Sequence, residues 1–487
     1  MSNPALIYNN GDTICAISTP SGVGGIAVAR VSGPDAFDIV GRIWQGAHLQ
    51  SVEGYTAHYG TVLQRDGSFL DQALATVFKA PRSFTGENVV EISVHGSKWI
   101  QQRLLDSLIG AGARMALPGE FTRRAYASGK VDLAQAEAVA DMISSNSGAA
   151  HQLAMSQMRG EYSRAIDAMR AELVQLASLL ELELDFAEEE VEFASRSRLL
   201  ELADALSAKL QASADSFSTG RAIKDGIPVA LVGATNAGKS SLLNALVGDD
   251  RAIVSDIHGT TRDVIEDIVE IGDYLIRFRD TAGMRETDDP IEQMGIERSR
   301  RAASDATIVV YVVDGNEQLH EATDITANDL IIALNKCDLS RHENAGAPYL
   351  TAQESDTTQH ASEQIASARE SKLSTEQLQK QYAHARVISC SAVTGEGLDE
   401  LCRAITAILD QRLAGANITV ANARHAEAFA GAAESLRAFA AALRAGIPSD
   451  LAAQDLRQAI YHLSTVTGQI TTPELLQTIF QSFCIGK

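Results

Sequence analysis

The chain has 487 residues and a formal net charge of −22, from 41 Lys and Arg against 63 Asp and Glu. Its length predicts roughly two to four domains. So acidic a surface repels phosphate backbones, and aromatic residues at 5% offer few stacking platforms, which argues against a stand-alone, high-affinity nucleic-acid binder.

The cysteines and the apolar runs place the chain in the cytoplasm. The five cysteines are far apart and form no CxxC motif, which is typical of reduced thiols and not of a disulfide framework or structural zinc. The first residues, MSNPALIYNNGDTICAI, lack the basic and apolar regions of a signal peptide. The apolar run 308–313 has the length of a strand, whereas a membrane span needs about 20 residues. We therefore expect a cytoplasmic protein without a membrane segment.

Residues 1–120 are predicted to form an α+β domain. Glycine-punctuated runs of β-forming residues occur in ICAIS, GGIAVARVSG, ATVFKA and VVEISVHG. One amphipathic stretch, at 100–109, follows them and has helical spacing. This mixture favours one compact domain of strands and helices.

Residues 121–222 and 413–487 are predicted to be the two parts of one discontinuous all-α domain. From about residue 133, Ala, Leu, Glu and Gln dominate at helical spacing, as in LAQAEAVADMI and AELVQLASLLELELDF. Alanine-rich helix returns after residue 422, and a last helix opens at Pro473. Such long amphipathic helices are expected to form a bundle.

Residues 223–412 are predicted to be an α/β domain inserted between these two helical parts. Short Val- and Ile-rich strands alternate with helical segments: IPVALVG, YLIRFRD, ATIVVYVVD, LIIALN and RVIS. This alternation is typical of a doubly wound parallel sheet. The stretch 340–384 is polar and poor in large apolar residues, so we expect a mobile surface insertion there.

A phosphate-binding loop follows the first strand of this α/β domain. Residues 233–240, GATNAGKS, match G-x-x-x-x-G-K-[ST] between the strand IPVALV and the helical run SLLNALVG. Glycines let the backbone N–H groups curl around phosphates, and the helix N-terminus adds a favourable dipole. Lys239 would then reach the β and γ oxygens, and the Ser240 hydroxyl would ligate Mg²⁺.

Four companion motifs indicate which nucleotide binds. They are GTTRD from Gly259, DTAG from Asp280, NKCD from Asn335 and SA from Ser391. Asp338 can accept from the guanine N1–H and 2-amino donors, a pair that adenine does not present. Each motif alone is common in ordinary turns, but all five in this order at strand ends predict a guanine-nucleotide-binding P-loop GTPase.

The predicted nucleotide contacts come from five loops. They are Asn236, Ala237, Gly238, Lys239, Ser240, Ser241, Ser255, Asp256, Ile257, His258, Gly259, Thr260, Thr261, Asp280, Thr281, Ala282, Gly283, Asn335, Lys336, Asp338, Ser391, Ala392 and Val393. Met284 follows DTAG, where Ras-type GTPases have the glutamine that orients the attacking water. Another group must therefore position the water.

Several further segments resemble one family. The tail IFQSFCIGK and the segments GGIAVARVSG, PRSFTGENVVEISVHG and LPGEFTRRAYASGKVDLAQAEAVADMI are similar, in order, to segments of the MnmE (TrmE) family of tRNA-modification GTPases. The resemblance spans nearly the whole chain. It departs at Thr235, where the family commonly has proline, and in the long polar insertion.

The resemblance implies a set of cofactors and partners. The N-terminal domain would dimerise and bind a tetrahydrofolate derivative, in its 5-formyl or 5,10-methylene form. The GTPase would require Mg²⁺ and K⁺ and hydrolyse GTP as its domains dimerise. With the FAD-containing partner MnmG (GidA), in a heterotetramer or larger complex, it would add an aminomethyl or carboxymethylaminomethyl group to C5 of the wobble uridine of certain tRNAs.

The resemblance also implies residue roles. Asn236, Ser255, Ile257 and Thr260 would ligate K⁺, and Ser240 and Thr261 would ligate Mg²⁺. Glu292 would position the attacking water through a second water and, with Lys239, would be catalytic. Arg30, Glu91, Lys130 and Lys487 would bind folate.

Alternatives stay open at this point. Asn236 could serve only to shape the loop, and the four folate residues could form surface salt bridges. A GTP-dependent assembly switch of the Era type, or a folate enzyme with a regulatory GTPase, would share the nucleotide motifs. Cys484 is expected to be a partly buried thiol, and His95 and His258 to be structural or solvent-facing.

Overall fold

The computed structural model describes residues 11–185, 196–234, 236–251, 266–280, 303–315, 329–342, 375–382, 384–414 and 419–486. They divide into two compact units. The first unit draws on Met1–Ser144, Ala154–Leu210 and Ala428–Lys487, and the second on Ser145–Leu153 and Gln211–Glu427. Each unit thus joins segments that lie far apart in the chain.

The first unit contains a seven-stranded sheet in the order β3-β4-β5-β6-β2-β1-β7. All neighbouring strands are antiparallel except β1 and β7, which are parallel. The strands are β1 (Ile14–Ile17), β2 (Gly24–Ser32), β3 (Trp44–Gln45), β4 (Thr56–Leu63), β5 (Phe69–Phe78), β6 (Val89–Gly96) and β7 (Arg114–Met115). The four predicted runs are strands, as expected, and β3, β4 and β7 lie outside those runs.

Helices occur in both units. They are α1 (Ala36–Gly41), α2 (Lys98–Gly110), α3 (Glu120–Ala127), α4 (Leu133–Ser144), α5 (Gly148–Met158), α6 (Glu161–Asp185), α7 (Arg196–Asp215), α8 (Phe217–Asp225), α9 (Lys239–Arg251), α10 (Cys337–His342), α11 (Thr375–Gln381), α12 (Leu398–Ala414), α13 (Ala423–Arg444), α14 (Ser449–Thr467) and α15 (Pro473–Gln481). The predicted helical stretches, including α2 and the last helix opening at Pro473, are confirmed.

The two faces of the first sheet carry different packing, because side chains alternate along each strand. On one face, Ala29 and Cys15 join the core that α1 and α2 cover, with Leu104 and Leu108 fully buried. On the other face, Ile14 packs with Phe121 of α3 in a smaller cluster. Arg30 lies on this second face of β2, beside Phe121 of α3.

The helical part of the first unit is built on long apolar stripes. In α6, Ile166, Leu173 and Leu180 are fully buried at a spacing of seven residues, which keeps them on one side of a helix. Arg170 of α6 donates from Nε to Ser464 Oγ of α14 at 3.0 Å. Phe480, at the end of α15, packs with Leu133 of α4. The C-terminal segment is thus part of the same unit as the N-terminal sheet.

The second unit contains a doubly wound sheet of six strands in the order β13-β12-β11-β8-β10-β9. Neighbouring strands are parallel except β9 and β10. The strands are β8 (Ile227–Val232), β9 (Glu266–Ile271), β10 (Tyr274–Asp280), β11 (Ile308–Asp314), β12 (Leu330–Asn335) and β13 (Arg386–Ser389). The predicted parallel α/β arrangement is confirmed, and only β9 was not predicted. Near-continuous apolar runs such as IVVYVVD fit strands that are covered on both faces.

One prediction for this unit is wrong in part. Of the stretch 340–384, residues 343–374 and 383 lie outside the described residues. Its C-terminal part forms α11, whose Leu378 is fully buried in a cluster with Ile332 and Ala385. A single leucine in a polar helix is enough to join the core, so this end of the stretch is not a surface insertion.

Two smaller expectations also have outcomes. All five cysteines are free thiols. Within the described segments, no helix has both the length and the apolar character needed to cross a bilayer.

Candidate functional site

The loop after β8 has the backbone conformation that its glycines allow. A Cβ at Gly233 would lie 2.2 Å from the carbonyl oxygen of Val312, and one at Gly238 would lie 2.3 Å from the side-chain nitrogen of Asn335. Gly238 also has φ +91°, and Asn236 has φ +67°. Asparagine tolerates this left-handed region better than most residues. The alternative role of Asn236, shaping the loop, therefore has a physical basis in its backbone.

Lys239 folds back over this loop from the first turn of α9. Its ammonium group donates to the carbonyl oxygens of Gly233 at 3.0 Å and Ala234 at 2.8 Å. Ser240 and Ser241 are exposed in the same turn, and Ala237 is buried. The loop thus presents a cation and a helix N-terminus together, an arrangement that suits phosphate.

Asn335 connects the phosphate loop to a second loop. Its amide nitrogen donates to the carbonyl oxygen of Ala237 at 3.0 Å, and its amide oxygen accepts from Ala392 N at 3.1 Å. The side chain is only 1% exposed. Sequence reasoning predicted a nucleotide contact at Asn335; the structure adds that it clamps the loops after β8 and β13.

Asp338 is held by the loop after β13. The fully buried Ser391 donates from Oγ to Asp338 Oδ1 at 2.6 Å and accepts from Thr394 N at 3.2 Å. Val393, by contrast, is 83% exposed. The structure thus brings together the two predicted base-recognition motifs, and the hydroxyl fixes one oxygen of the carboxylate.

Lys336 has a partner that sequence reasoning missed. Its ammonium group lies 2.6 Å from Oδ2 of Asp314, the last residue of β11. Lys336 itself adopts φ +64°. In the sequence, Asp314 is marked only as a carboxylate at the end of an apolar strand. Ligand-binding residues often follow the carboxyl ends of parallel strands.

The described part of the chain does not include every predicted site residue. Outside the described residues lie Ser255, Asp256, Ile257, His258, Gly259, Thr260, Thr261, Thr281, Ala282, Gly283, Glu292 and Lys487. Asp280 is the last residue of β10. The switch, K⁺-ligand and water-positioning assignments therefore stay predictions.

A second candidate site lies on the first unit's sheet. Arg30 and Glu91 face each other across β2 and β6, with Nε and Nη2 of Arg30 at 2.9 and 2.8 Å from Glu91 Oε1. The guanidinium carbon lies 5.7 Å from the ring centre of Phe84 and 5.6 Å from that of Phe121. The pair is thus both charge-matched and flanked by aromatic rings.

Of the other two folate candidates, Lys130 lies among the described residues and Lys487 does not. Lys130 is exposed, and a Cβ at Gly86 would lie 3.6 Å from its Cε. Lys487 follows Gly486, whose carbonyl oxygen accepts from Ser18 Oγ at 3.1 Å. The described end of the tail therefore lies next to the end of β1, the strand that pairs with β2.

Two predictions about single residues have outcomes here. Cys484 is exposed, so the expectation of a partly buried thiol is wrong, because its neighbour Phe483 takes the buried position in the tail. The His95 ring is 72% exposed and its Nδ1 lies 2.8 Å from Asp71 Oδ1. This confirms a solvent-facing histidine.

Beside Arg30 lies a network that sequence reasoning missed entirely. We call it the carboxylate–guanidinium network; its members are Asp12, Glu87, Arg114, Glu120 and Arg124. Arg124 is its centre, contacting Asp12 at 2.6 Å, Glu87 at 3.1 Å and Glu120 at 3.2 Å. These residues are scattered along the chain, so no spacing pattern identifies them.

The network favours the charged forms of Asp12 and Glu120. Burial raises the pKa of Asp12, but hydrogen bonds from Arg114 and Arg124 outweigh it, so the pKa lies below its usual value. Burial likewise raises the pKa of Glu120, and the Arg114 hydrogen bond with the Leu117 N–H brings it below its usual value. Since Glu120 precedes Phe121, the network fixes the ring that flanks Arg30.

The second unit's geometry defines a class of protein. A doubly wound sheet with a P-loop after β8, an NKxD loop after β12 and a Ser-Ala loop after β13 is that of a guanine-nucleotide-binding P-loop protein.

Comparison with known proteins gives the family. The chain matches the family description "MnmE helical domain" over residues 133–484 and "GTP-binding protein TrmE N-terminus" over residues 13–130. Proteins called "tRNA modification GTPase MnmE" from Parabacteroides distasonis and Porphyromonas gingivalis are each 46% identical, covering 98% of this chain and 100% and 98% of theirs. A third, from Bacteroides fragilis, is 43% identical over 98% of this chain and all of its own. The chain belongs to the MnmE family of tRNA-modification GTPases.

Proposed function

We propose that this protein is a GTP hydrolase that takes part in modifying the wobble uridine of tRNA. The observation that carries the proposal is the Asn335 clamp, which holds the phosphate loop and the base loop at one sheet edge. This occurs in a chain that matches tRNA-modification GTPases over nearly its whole length. An Era-type assembly switch would share the clamp but is not favoured by the matches at both ends of the chain.

Guanine would be selected by Asp338. Its carboxylate would accept from the N1–H and the 2-amino group, while Ser391 keeps it in orientation through Oδ1. Adenine presents no such pair of donors, so its binding would leave the carboxylate unpaired, which is costly in a dry site.

Phosphates would be held by the loop after β8. Lys239 would exchange its two loop carbonyls for β and γ phosphate oxygens. The Ser240 hydroxyl, exposed in the first turn of α9, fits a Mg²⁺ ligand, and Thr261 would be the second. Bound Mg²⁺ would neutralise negative charge on the phosphate oxygens.

The hydrolytic step rests on the family resemblance. Asn236 stands on the phosphate loop with an exposed side chain and an oxygen able to ligate K⁺, together with Ser255, Ile257 and Thr260. The resemblance implies that Glu292 positions the attacking water, a role that the thioether of Met284 cannot fill. A monovalent cation next to the phosphates supplies the positive charge that an arginine finger supplies elsewhere.

The first unit is proposed to bind a tetrahydrofolate derivative at Arg30 and Glu91. Both Arg30 contacts go to Oε1 of Glu91, so Oε2 can accept from the paired donors of a pterin. The rings of Phe84 and Phe121 offer apolar faces beside it. Lys130 and Lys487 would meet the glutamate tail of the folate.

Partners and location follow from charge and resemblance. A surface with a net charge of −22 leaves most phosphate contacts to a more basic partner. We therefore propose a homodimer that works in the cytoplasm with an FAD-containing protein of the MnmG type, which would hold much of the tRNA.

The nucleotide assignment is tested through the contact between Asp338 and the base. In xanthosine triphosphate (XTP) a carbonyl replaces the 2-amino group of guanine, so Asp338→Asn should lose GTP hydrolysis and gain XTP hydrolysis. Asp399→Asn, an exposed aspartate of α12, is the matched control and should keep GTP hydrolysis. An Asp338→Asn variant that hydrolyses GTP like wild type would contradict the nucleotide assignment.

The tRNA assignment is tested in cells that lack the protein. Digested tRNA is analysed by mass spectrometry for wobble-position modified uridines. We expect their loss, with recovery by wild type and by Asp399→Asn but not by Asp338→Asn. Normal levels in cells without the protein would refute the role in tRNA modification.

A further inference from the structure

We propose that Asp314 is a positioning residue for the guanine nucleotide, and that it acts by pinning the side chain of Lys336 across the end of β11. The inference rests on the proposed GTP site and assigns a role to a residue outside its motifs.

The sheet order places this pair between the two halves of the site. The phosphate loop follows β8, the base loops follow β12 and β13, and β11 lies between β8 and β12. A nucleotide that reaches from phosphate loop to base loops must therefore pass over the end of β11. That end is Asp314.

Asp314 and Lys336 are neighbours across the sheet. Asp314 is the register partner of Asn335, the residue before Lys336. The Lys336 ammonium group donates to Asp314 Oδ2 at 2.6 Å. Its four-carbon stem thus runs from the end of β12 to the end of β11, alongside the Asn335 clamp.

Three separate costs are offset by this one ion pair. Lys336 adopts φ +64°, a left-handed conformation that is unfavourable for a residue with a Cβ. Ordering a lysine side chain loses rotamer entropy. The Asp314 side chain is only 8% exposed and needs a partner as a charged group. Left-handed non-glycine residues cluster at ligand sites, where the surrounding structure holds them.

The pinned stem gives the nucleoside an apolar surface. Lysine carries its charge at the tip, so with the tip held by Asp314 the methylene groups remain beneath the sugar and base. Preordering this surface lowers the entropy lost on binding. Hydrolysis occurs at the γ-phosphate, at the other end of the nucleotide, and should not depend on the pair.

The experiment measures nucleotide binding by Asp314→Asn, which keeps the shape but removes the charge. We expect GDP affinity to fall about tenfold, mainly through faster dissociation of fluorescently labelled GDP, as for loss of a charge-assisted hydrogen bond. KM for GTP should rise while kcat at saturation stays within about twofold of wild type. Asp329→Asn is the matched control, because Asp329 pairs with Arg412 and lies just before the start of β12.

A double-mutant cycle separates positioning from general stability. In a Lys336→Ala background, Asp314→Asn should cause no further loss of affinity. Asp314→Glu, which keeps the carboxylate, should recover most of the binding. Lys336→Met keeps the apolar stem without the charge and should match the loss in Asp314→Asn, which also covers the case that Asp314→Asn does not fold.

The outcomes are distinguishable from failure of the proposed function. Wild-type affinity for Asp314→Asn, or an equal additional loss in the Lys336→Ala background, would overturn the inference. If the wild-type protein did not prefer GDP to ADP, the GTP site itself would be wrong, whatever the variants do.

Discussion

The nucleotide loops of the second unit and the carboxylate–guanidinium network of the first are fastened by different forces. The loops are joined through a neutral amide, Asn335, to the main chain at Ala237 and Ala392. The network joins two arginines to three carboxylates, with Arg124 and Glu120 nearly buried. The loops after β8 and β13 are thus joined by hydrogen bonds to the backbone, and the network is joined by paired charges.

The difference has an energetic consequence. An intramolecular hydrogen bond contributes about 0.5–1.5 kcal/mol net, so loops held by a few of them can rearrange as ligands come and go. Removing one partner from a buried ion pair costs about 3–5 kcal/mol, because the other charge stays buried. We therefore expect the first unit to be a rigid platform beside Arg30, and the nucleotide loops to be adjustable.

The largest effect should come from the centre of the network. Arg124→Met leaves the charges of Asp12, Glu87 and Glu120 with one guanidinium fewer, so the first sheet should lose about 3–5 kcal/mol of stability. Both tryptophans, Trp44 and Trp99, lie in this sheet or its helix α2. Urea unfolding followed by tryptophan fluorescence therefore reports this region selectively.

The control for that measurement is Arg82→Met. Arg82 is an exposed arginine of the same region, whose guanidinium lies 5.8 Å from the Tyr55 ring centre, and its loss should cost no more than about 1 kcal/mol. A loss of similar size in both variants would contradict the view that the network, and not arginine content, stabilises the platform.

The next largest effect should come from the nucleotide loops of the second unit. Asn335→Ala leaves the buried carbonyl of Ala237 without this partner, at about 1–3 kcal/mol, and also frees the half-buried N–H of Ala392 at a smaller cost. GDP affinity, measured by calorimetry, should fall on the order of 100-fold. Asn244→Ala, on an exposed position of α9, should leave the affinity unchanged.

Asn335→Ala also tests whether the network and the nucleotide loops are stabilised independently. Because Asn335 belongs to the second unit, its loss should leave the tryptophan unfolding curve as in wild type. A shifted curve would mean that the two sites are not independently stabilised.

These two regions also differ in what the sequence predicts. The P-loop, NKxD and Ser-Ala motifs are contiguous, and parallel strands bring their carboxyl ends to one edge, so spacing was enough to predict that Asn335, Asp338 and Ser391 meet. Asp314 escaped prediction, because a carboxylate at a strand end has no motif of its own. The pairing of its side chain with Lys336 depends on the register between β11 and β12.

The carboxylate–guanidinium network, by contrast, could not be predicted from the sequence. Asp12, Glu87 and Arg124 are brought together only by the antiparallel register and the placement of α3, neither of which the amino-acid pattern specifies. Arg30 and Glu91 were selected by family resemblance, yet the rings of Phe84 and Phe121 beside them were not. The strands β1, β2, β5 and β6 were predicted from glycine-punctuated runs of β-forming residues, whereas the mixed run TAHYGTVL of β4 was not.

Acid should weaken the carboxylate–guanidinium network. The pKa values of Asp12 and Glu120 lie below their ordinary values of 3.8 and 4.5. A lowered folded-state pKa contributes stability above the ordinary value and loses it as the pH falls through the folded value. Tryptophan-monitored stability should therefore decline once the pH drops below about 5, as the unfolded chain takes up protons first.

Glu120→Gln tests the origin of this decline. It removes one of the two network carboxylates whose pKa is lowered, so stability near neutral pH should be lower and its fall towards acid shallower. A pH profile as steep as that of wild type would assign the acid sensitivity to other carboxylates.

The smallest effect concerns the orientation of Asp338. Ser391→Ala removes the hydroxyl that donates to Oδ1 at 2.6 Å and accepts from Thr394 N. A hydrogen bond to a charged group contributes about 1.5–3 kcal/mol, but only the part that orients Asp338 bears on binding, so we expect GDP affinity to fall roughly fivefold. Ser218→Ala, at an exposed position of α8, is the control and should bind GDP like wild type.

The ratio of GDP affinity to IDP affinity tests the role of Ser391 more directly than the fivefold loss of GDP affinity does. Inosine lacks the 2-amino group, so the preference for GDP over IDP measures how well the carboxylate is aimed at two donors at once. Freed from Ser391, the carboxylate can rotate towards the single N1–H of hypoxanthine, and the preference should narrow. If affinity falls but the GDP-to-IDP ratio is unchanged, Ser391 only stabilises its loop, and backbone contacts alone would set the aim of Asp338. In that case the loops after β8 and β13 would be aligned by the Asn335 hydrogen bonds to the main chain, separately from the Lys336–Asp314 ion pair.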